Sequence, residues 1–424
     1  MNGFTRRDFL KASAAGGLSV ALGPASWGGD TAAAERVLVI LHLAGGNDGL
    51  NTVVPFADDH YARARPTLAL KPNECLPLDE SLGWHPAAAG LRAVYERGEL
   101  AIVQGVGYPG PNRSHFRSLE IWHTAVDADV VEQTGWLGRA FDRYYRDRDA
   151  GVAICIGGRV PQSFSAAVPK GITFQQPAAL RFHARRRPAA KGGMREEDIE
   201  FWEEMNDGDG SRAGDSIAEP AGSVVAPEGM SALEFLERTA RDARVNAKRI
   251  ERILGRTNNA AEYPDHRLGR SLEQAARLIR GGMPTTFYAV QLGGFDTHTQ
   301  QAPAHRRLLG ELGDALRSFR EDLAQGDAWN RTAVLVFSEF GRRVKENGSR
   351  GTDHGAAGPV FVLGGGIRGG VYGRHPELAP AALQRGDPVF HTDFRSVYAT
   401  LLERHVGIDP DPVLGRAFPR LHFS

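Results

Sequence analysis

Two chemically capable residues stand close together near the middle of the chain, Asp296 and His298. In an extended segment residues i and i+2 face the same side, so this carboxylate and this imidazole could both reach one divalent ion. They follow Thr286–Leu292, an apolar, β-branched and aromatic run that reads as a buried strand, and Gly293-Gly294, which lets the backbone bend. The end of a strand is where open α/β sheets collect ligands. Three further apolar runs lie next to similar groups. Asp48 follows the run 36–43 on a glycine-bearing turn, Glu339 follows the run 331–337, and Asp353 with His354, on a short polar loop ahead of the run 359–364, count as a fourth set of groups following a strand. Any one of these reads equally well as a cap or an exposed polar loop residue. Four of them in a strand-and-helix alternation are expected to converge on one edge of a parallel sheet as hard oxygen and imidazole ligands.

A candidate nucleophile lies upstream. The Gly- and Pro-rich stretch 105–111 gives way at Asn112 to an apolar helical period (Phe116, Leu119, Ile121, Trp122), which puts Ser114 at or next to a helix N-cap. Capping alone explains a serine there. The same position also aims a hydroxyl where helix amides favour an anion, as attack on phosphate or sulfate requires. Arg113 and Arg117 flank it. No G-x-S-x-G elbow supports a Ser-His-Asp hydrolase, and no G-x-G-x-x-G or G-K-[ST] spacing supports a nucleotide loop.

The elements that must position these groups alternate. Further strands are expected at 100–104 and 152–158, with helices over 86–97, 231–254, 267–280 and 304–324, and a last one starting near 392 with Thr392 or Asp393 as cap. This predicts an α/β fold with a large, mostly parallel central sheet and helices on both faces. Residues 35–424 read as a single domain, interrupted by a polar insertion over about 181–230, where periodicity is lost. With 51 basic and 51 acidic residues the charge cancels, and no basic tract with interleaved aromatics appears, so nucleic acid is not an expected partner. Cys75 and Cys155 are too few for a disulfide framework or a zinc ribbon, and a single bridge between them stays open. At the N-terminus Arg6-Arg7 precede a short, weakly apolar stretch and then Ala32-Ala33-Ala34, the order of a twin-arginine export signal. The expectation is a signal over 1–34, export by the twin-arginine translocase, a periplasmic or extracellular mature protein, and no stable membrane span.

The order of motifs is similar to that of the alkaline phosphatase and sulfatase superfamily. There an early strand-end aspartate, a helix-capping nucleophile, an Asp and His pair, a Ser-Asp-His turn and a later His assemble a two-metal site. More closely, the twin-arginine start, Gly-Gly-Asn-Asp-Gly-Leu-Asn, Ser114-His115-Phe116, Gly-Phe-Asp-Thr-His and Ser-Glu-Phe-Gly-Arg resemble an exported bacterial family known as a domain of unknown function within that superfamily.

The resemblance implies an alkaline phosphatase-like three-layer sandwich in which Asp48 and Ser114 serve one metal while Asp296, His298 and His354 ligate the other. It implies a divalent ion, zinc foremost, with calcium, magnesium or manganese as alternatives, and one or two ions in all. The implied reaction is hydrolysis of a small anionic phosphate or sulfate ester, with Arg113 or Arg117 neutralising charge and Asp353 orienting His354. Two departures stand out. Asp296 and His298 are two apart where relatives space the pair by four, and Ser338-Glu339-Phe340 replaces Ser-Asp-His. Glu339 can stand for the aspartate, but Phe340 cannot bind metal, so His115, Asn51 or Asp353 would have to complete the second site. The alternative is a catalytically degenerate periplasmic binding or assembly protein on the same fold.

Overall fold

The computed structural model describes residues 36–167, 170–174 and 232–424, with backbone only over 232–240. The expected export signal and the whole of the expected polar insertion lie outside these residues. Nine strands form one sheet: β1 (Val37–Ala44), β2 (Leu100–Gly107), β3 (Ala153–Ile156), β4 (Ile172–Phe174), β5 (Phe287–Gly293), β6 (Thr332–Phe337), β7 (Gly358–Gly364), β8 (Gly370–Tyr372) and β9 (Thr392–Asp393). The path runs β8-β2-β7-β6-β1-β5-β3-β4, and β9 pairs with β2. All pairings are parallel except those of β7, which runs antiparallel to both β2 and β6. The expected mostly parallel α/β sheet is present.

β1 shows why the sheet is covered on both sides. Val37, Val39, Leu41 and Leu43 join one apolar cluster, and Leu38 and Ile40 join another, following the two-residue strand period. The first face is covered by helices α1 (Ala89–Tyr95), α4 (Ala232–Arg256), α5 (Arg267–Arg280) and α6 (Gln301–Leu323). On the other lie α2 (His115–Thr124), α3 (Trp136–Tyr144) and α7 (Phe394–Thr400), which gives three layers.

Of these helices α2 bears most directly on the chemistry, because its first residue enters the cluster of strand-end groups. It is anchored by Ile121 and Trp122, both buried. Burial of a side chain the size of Ile121 contributes roughly 1.5–3 kcal/mol. The Trp122 ring stacks on Phe337 at the end of β6 and on Phe394 of α7, with ring centroids 5.1 and 4.4 Å apart. Phe337 in turn stacks on His42 at 5.1 Å, so a run of rings fixes α2 against the ends of β1 and β6.

One arrangement departs from the sequence reading. Asp353 and His354 do not follow a parallel strand. After β6 the chain overshoots the sheet, forms a hairpin of Arg342–Glu346 with Thr352–His354, and only then re-enters as β7. Entry from the C-terminal edge is the reason β7 runs antiparallel, and it hangs His354 over that edge. Helix α7 starts as expected, with the Asp393 carboxylate accepting from the Arg395 amide. Cys75 and Cys155 are both buried and unpaired.

Candidate metal centre

β1, β5 and β6 are neighbours in register, with Ala44 opposite Gly293 and His42 opposite Phe337, so the turns after them open side by side. The turns after β1 and β5 touch. Gly45 has φ +118°, and a Cβ there would lie 2.3 Å from the Asp296 nitrogen, so any side chain would force the two turns apart. Arg342, wholly buried, stitches these turns to the hairpin. It donates to the carbonyls of Gly46 at 2.7 Å, Phe295 at 2.9 Å and Thr352 at 2.7 Å, to that of Gly45, and to Asp296 Oδ1 at 2.8 Å. A guanidinium held by so many carbonyls fixes the carboxylate beside it.

Around Asp296 stand three imidazoles. His354 Nε2 lies 3.0 Å and His298 Nε2 3.1 Å from Asp296 Oδ1, and His115 Nε2 lies 3.6 Å from Oδ2. Ligand atoms of His115, Asp296 and His354 all lie within 4.8 Å of one another, which is the spacing of a shared cation. His298 adjoins them, its Nε2 only 2.9 Å from His354 Nε2. The far side of each ring faces an oxygen acceptor. His115 Nδ1 is 2.7 Å from Glu339 Oε1, His298 Nδ1 is 3.3 Å from Asp353 Oδ1, and His354 Nδ1 is 2.8 Å from the Arg113 carbonyl. An oxygen opposite Nδ1 places the ring proton there and leaves Nε2 as a bare lone pair. With the protons on Nδ1, three such lone pairs would point toward one carboxylate, and the two that lie 2.9 Å apart call for a proton or a metal cation between them. This donor set fits a divalent transition ion.

The carboxylates are held ionised. Burial pushes Asp296 up, but the Arg342 guanidinium outweighs it and brings the carboxyl down to about 2. Burial likewise raises Glu339, yet hydrogen bonding to His42 and His115 holds it at about 2.

The description "Protein of unknown function (DUF1501)" fits residues 104–420, well over half of the chain. The chain belongs to the DUF1501 family. A twin-arginine translocation signal sequence matches residues 3–23, and the protein is therefore exported to the periplasm or the extracellular space by that translocase. Among the described residues no helix is long and apolar enough to cross a membrane. No curated protein matches the chain in sequence. Among solved structures it is similar to a protein in the alkaline phosphatase superfamily from Vibrio parahaemolyticus, at 12% identity and TM-score 0.38, covering 90% of this chain and 69% of that one. It is also similar to the C-terminal periplasmic domain of EcEptC from Escherichia coli, at 10% identity and TM-score 0.36, covering 90% and 86%. A third similarity is to the lipoteichoic acid synthase LtaP from Listeria monocytogenes, at 8% identity and TM-score 0.33, covering 84% and 75%. At identities this low, what the protein does has to be argued from the residues of this DUF1501 chain.

Of the residues singled out in the sequence, Asp296, His298 and His354 come together, and His115, named there only as a possible substitute, joins them. Asp48 does not. It is fully buried and paired with Arg65 at 2.6 Å, and the same guanidinium donates to the Val344 carbonyl of the hairpin at 2.9 Å. Burial raises the Asp48 carboxyl, but Arg65 more than offsets it, and the net direction is down. Asn51 is likewise occupied, by Leu68, Tyr61 and Arg65.

Glu339 is a bracing group. Its two oxygens take His42 Nε2 at 2.9 Å, His115 Nδ1 and the Gly45 amide at 2.8 Å, all inside the protein. Asp353 braces His298 and not His354, whose Nδ1 is already turned to Arg113. Phe340 packs its ring against His115 and His354, with centroids 4.9 and 4.5 Å away, and forms a wall of the cluster.

Ser114 is the α2 N-cap, exposed, and its hydroxyl caps nothing. Neither flanking arginine faces the cluster. Arg113 is bound to Asp387, and Arg117 to Glu120 and to the carbonyls of Ala128 and Val130. His42, Arg65 and Arg342 were missed. The sequence signals were a histidine inside an apolar strand and an arginine closing Ser-Glu-Phe-Gly-Arg, whereas Arg65 carried none.

Proposed function

We propose that this exported protein binds one divalent ion, zinc foremost, on His115, Asp296 and His354 with His298 alongside, and hydrolyses phosphate or sulfate esters through Ser114. The observation that carries the metal reading is the set of three rings whose Nδ1 atoms all face oxygen acceptors while their Nε2 atoms gather at Asp296. The ion would supply Lewis-acid neutralisation of charge on a phosphoryl or sulfuryl oxygen.

The chain's own groups do the rest. Ser114 offers an uncommitted hydroxyl one residue from His115, at the end of α2 where free amides favour an anion. Its oxygen forms the bond to phosphorus or sulfur as the bond to the leaving oxygen breaks. The hydroxyl proton passes to solvent, and the leaving group takes a proton in exchange. Water then cleaves the seryl ester, restores the hydroxyl and releases inorganic phosphate or sulfate. Glu339, Asp353 and the Arg113 carbonyl hold the three rings in their tautomers throughout, and Phe340 excludes water from one side of them.

The test is turnover of p-nitrophenyl phosphate, its phosphodiester and its sulfate by the metal-loaded protein. Ser114→Ala should abolish turnover while metal content persists. Loss of neither, or turnover untouched by chelator, would overturn the reading. A metal-binding protein without hydrolysis is favoured by one specific observation, the occupation by Phe340 and by the Asp48–Arg65 pair of the places where the superfamily resemblance puts further ligands. It would show bound metal and no turnover of any of the three esters.

A further inference from the structure

Phe116 directly follows the candidate ligand His115, yet 91% of it is exposed, the highest figure among the large apolar side chains described. It sits in the first turn of a helix whose packing depends on Ile121 and Trp122, so folding gains nothing from a phenyl ring there. Val131 is 78% and Val130 45% exposed. These valines belong to the loop that Arg117, the next residue after Phe116, draws against α2 through the carbonyls of Ala128 at 2.9 Å and Val130 at 2.6 Å. Glu132 carries the same loop onto the segment that follows β3, accepting at its carbonyl from Gln162 Nε2. Half of the six exposed large apolar residues described thus stand on two segments tied together beside Ser114. Singly, exposed apolar residues mean little; grouped and rimmed by polar ones, they mark binding surfaces.

We infer that Phe116, Val130 and Val131 form an apolar subsite next to the metal centre, which takes the hydrocarbon part of an ester whose anionic group sits at Ser114. The substrate class is then an amphiphilic phosphate or sulfate ester, a charged head joined to an alkyl chain or an aromatic ring. The inference rests on the anion site proposed above. Arg117 has a positioning role, since it fixes the valine loop at its distance from α2.

Binding can be measured without turnover. Metal-loaded protein is titrated calorimetrically with methyl-, phenyl- and hexylphosphonate and with the corresponding sulfonates, all below aggregation concentrations. The subsite predicts that hexyl or phenyl binds at least about tenfold more tightly than methyl, the effect of roughly two methylenes leaving water. In Phe116→Ser and in Val131→Ser that ratio should fall toward one, while Val371→Ser, an exposed valine on β8, should keep it. A preference for the ring over the chain identifies an aryl ester, and the reverse an alkyl one; either supports the subsite. Equal binding of methyl and hexyl in the wild type, or a ratio unmoved by Phe116→Ser, overturns the inference while leaving the anion site standing. If methyl, phenyl and hexyl all fail to bind, the anion site itself is wrong.

Discussion

Two aspartates end neighbouring parallel strands in the same local sequence, Gly45-Gly46-Asn47-Asp48 after β1 and Gly293-Gly294-Phe295-Asp296 after β5. Their fates differ. Asp48 is sealed in the interior with Arg65 against it, whereas the Asp296 side chain is 48% exposed and has three imidazoles around it. A carboxylate at a strand end is therefore not a ligand by position. What it can offer an ion depends on whether the cation packed nearest leaves a face open, and Arg342 leaves one on Asp296 by directing most of its donors at carbonyls. Arg65 instead donates to Asp48, Asn51 and the carbonyls of Arg343 and Val344, which makes Asp48 a clamp on the hairpin that carries His354.

The contrast can be broken most forcefully at Arg65. Arg65→Met strands a buried carboxylate and should lower stability by about 3–5 kcal/mol in denaturant unfolding, the usual cost of removing one partner of a buried pair. Asp296→Asn, on the open side, should lose bound metal and destabilise the metal-free protein less than Arg65→Met does, because Arg342 keeps its carbonyl acceptors. Equal destabilisation by both would erase the distinction. A smaller effect is expected one step behind the ligands. Glu339→Gln should weaken metal affinity by roughly 10–100-fold, because a neutral amide oxygen is a weaker acceptor for the His115 ring proton than the carboxylate it replaces.

Acid should sharpen the same comparison. The folded pKa of Asp48 lies below the ordinary 3.8, so the stability it contributes is complete above that value and is lost as pH falls below it. Asp48→Asn should flatten the acid limb of a plot of Tm against pH. The smallest effect belongs to Ser114. Its hydroxyl makes no capping bond, so Ser114→Ala should cost less than the approximately 0.5–2 kcal/mol of a working cap. A larger loss would return the residue to a structural role.

Much of this was legible in the sequence. The apolar runs of β1, β2, β5, β6 and β7 announced the sheet, and Asp296, His298 and His354, which the fold brings together, stood out as candidate ligands, because strand period and strand-end chemistry are local properties. What could not be read was long-range. Arg65 meets Asp48 across 17 residues, and Glu339 meets His42 and His115 across 297 and 224, and each of those meetings occupies a carboxylate that the sequence offered as a candidate ligand. His115 was overshadowed by Ser114 because N-cap logic favours the serine, while the first helical residue's reach into the cluster depends on how Trp122 seats α2.

The central claim is that the metal is held at Asp296 and its histidines and not at Asp48, and metal content tests it most directly. Purified mature protein, loaded with zinc and desalted, is assayed by plasma mass spectrometry beside His354→Ala and Asp48→Asn. The account predicts one equivalent in the wild type, none in His354→Ala and one in Asp48→Asn. Two equivalents in the wild type with one lost in Asp48→Asn, or a full equivalent retained by His354→Ala, would contradict it.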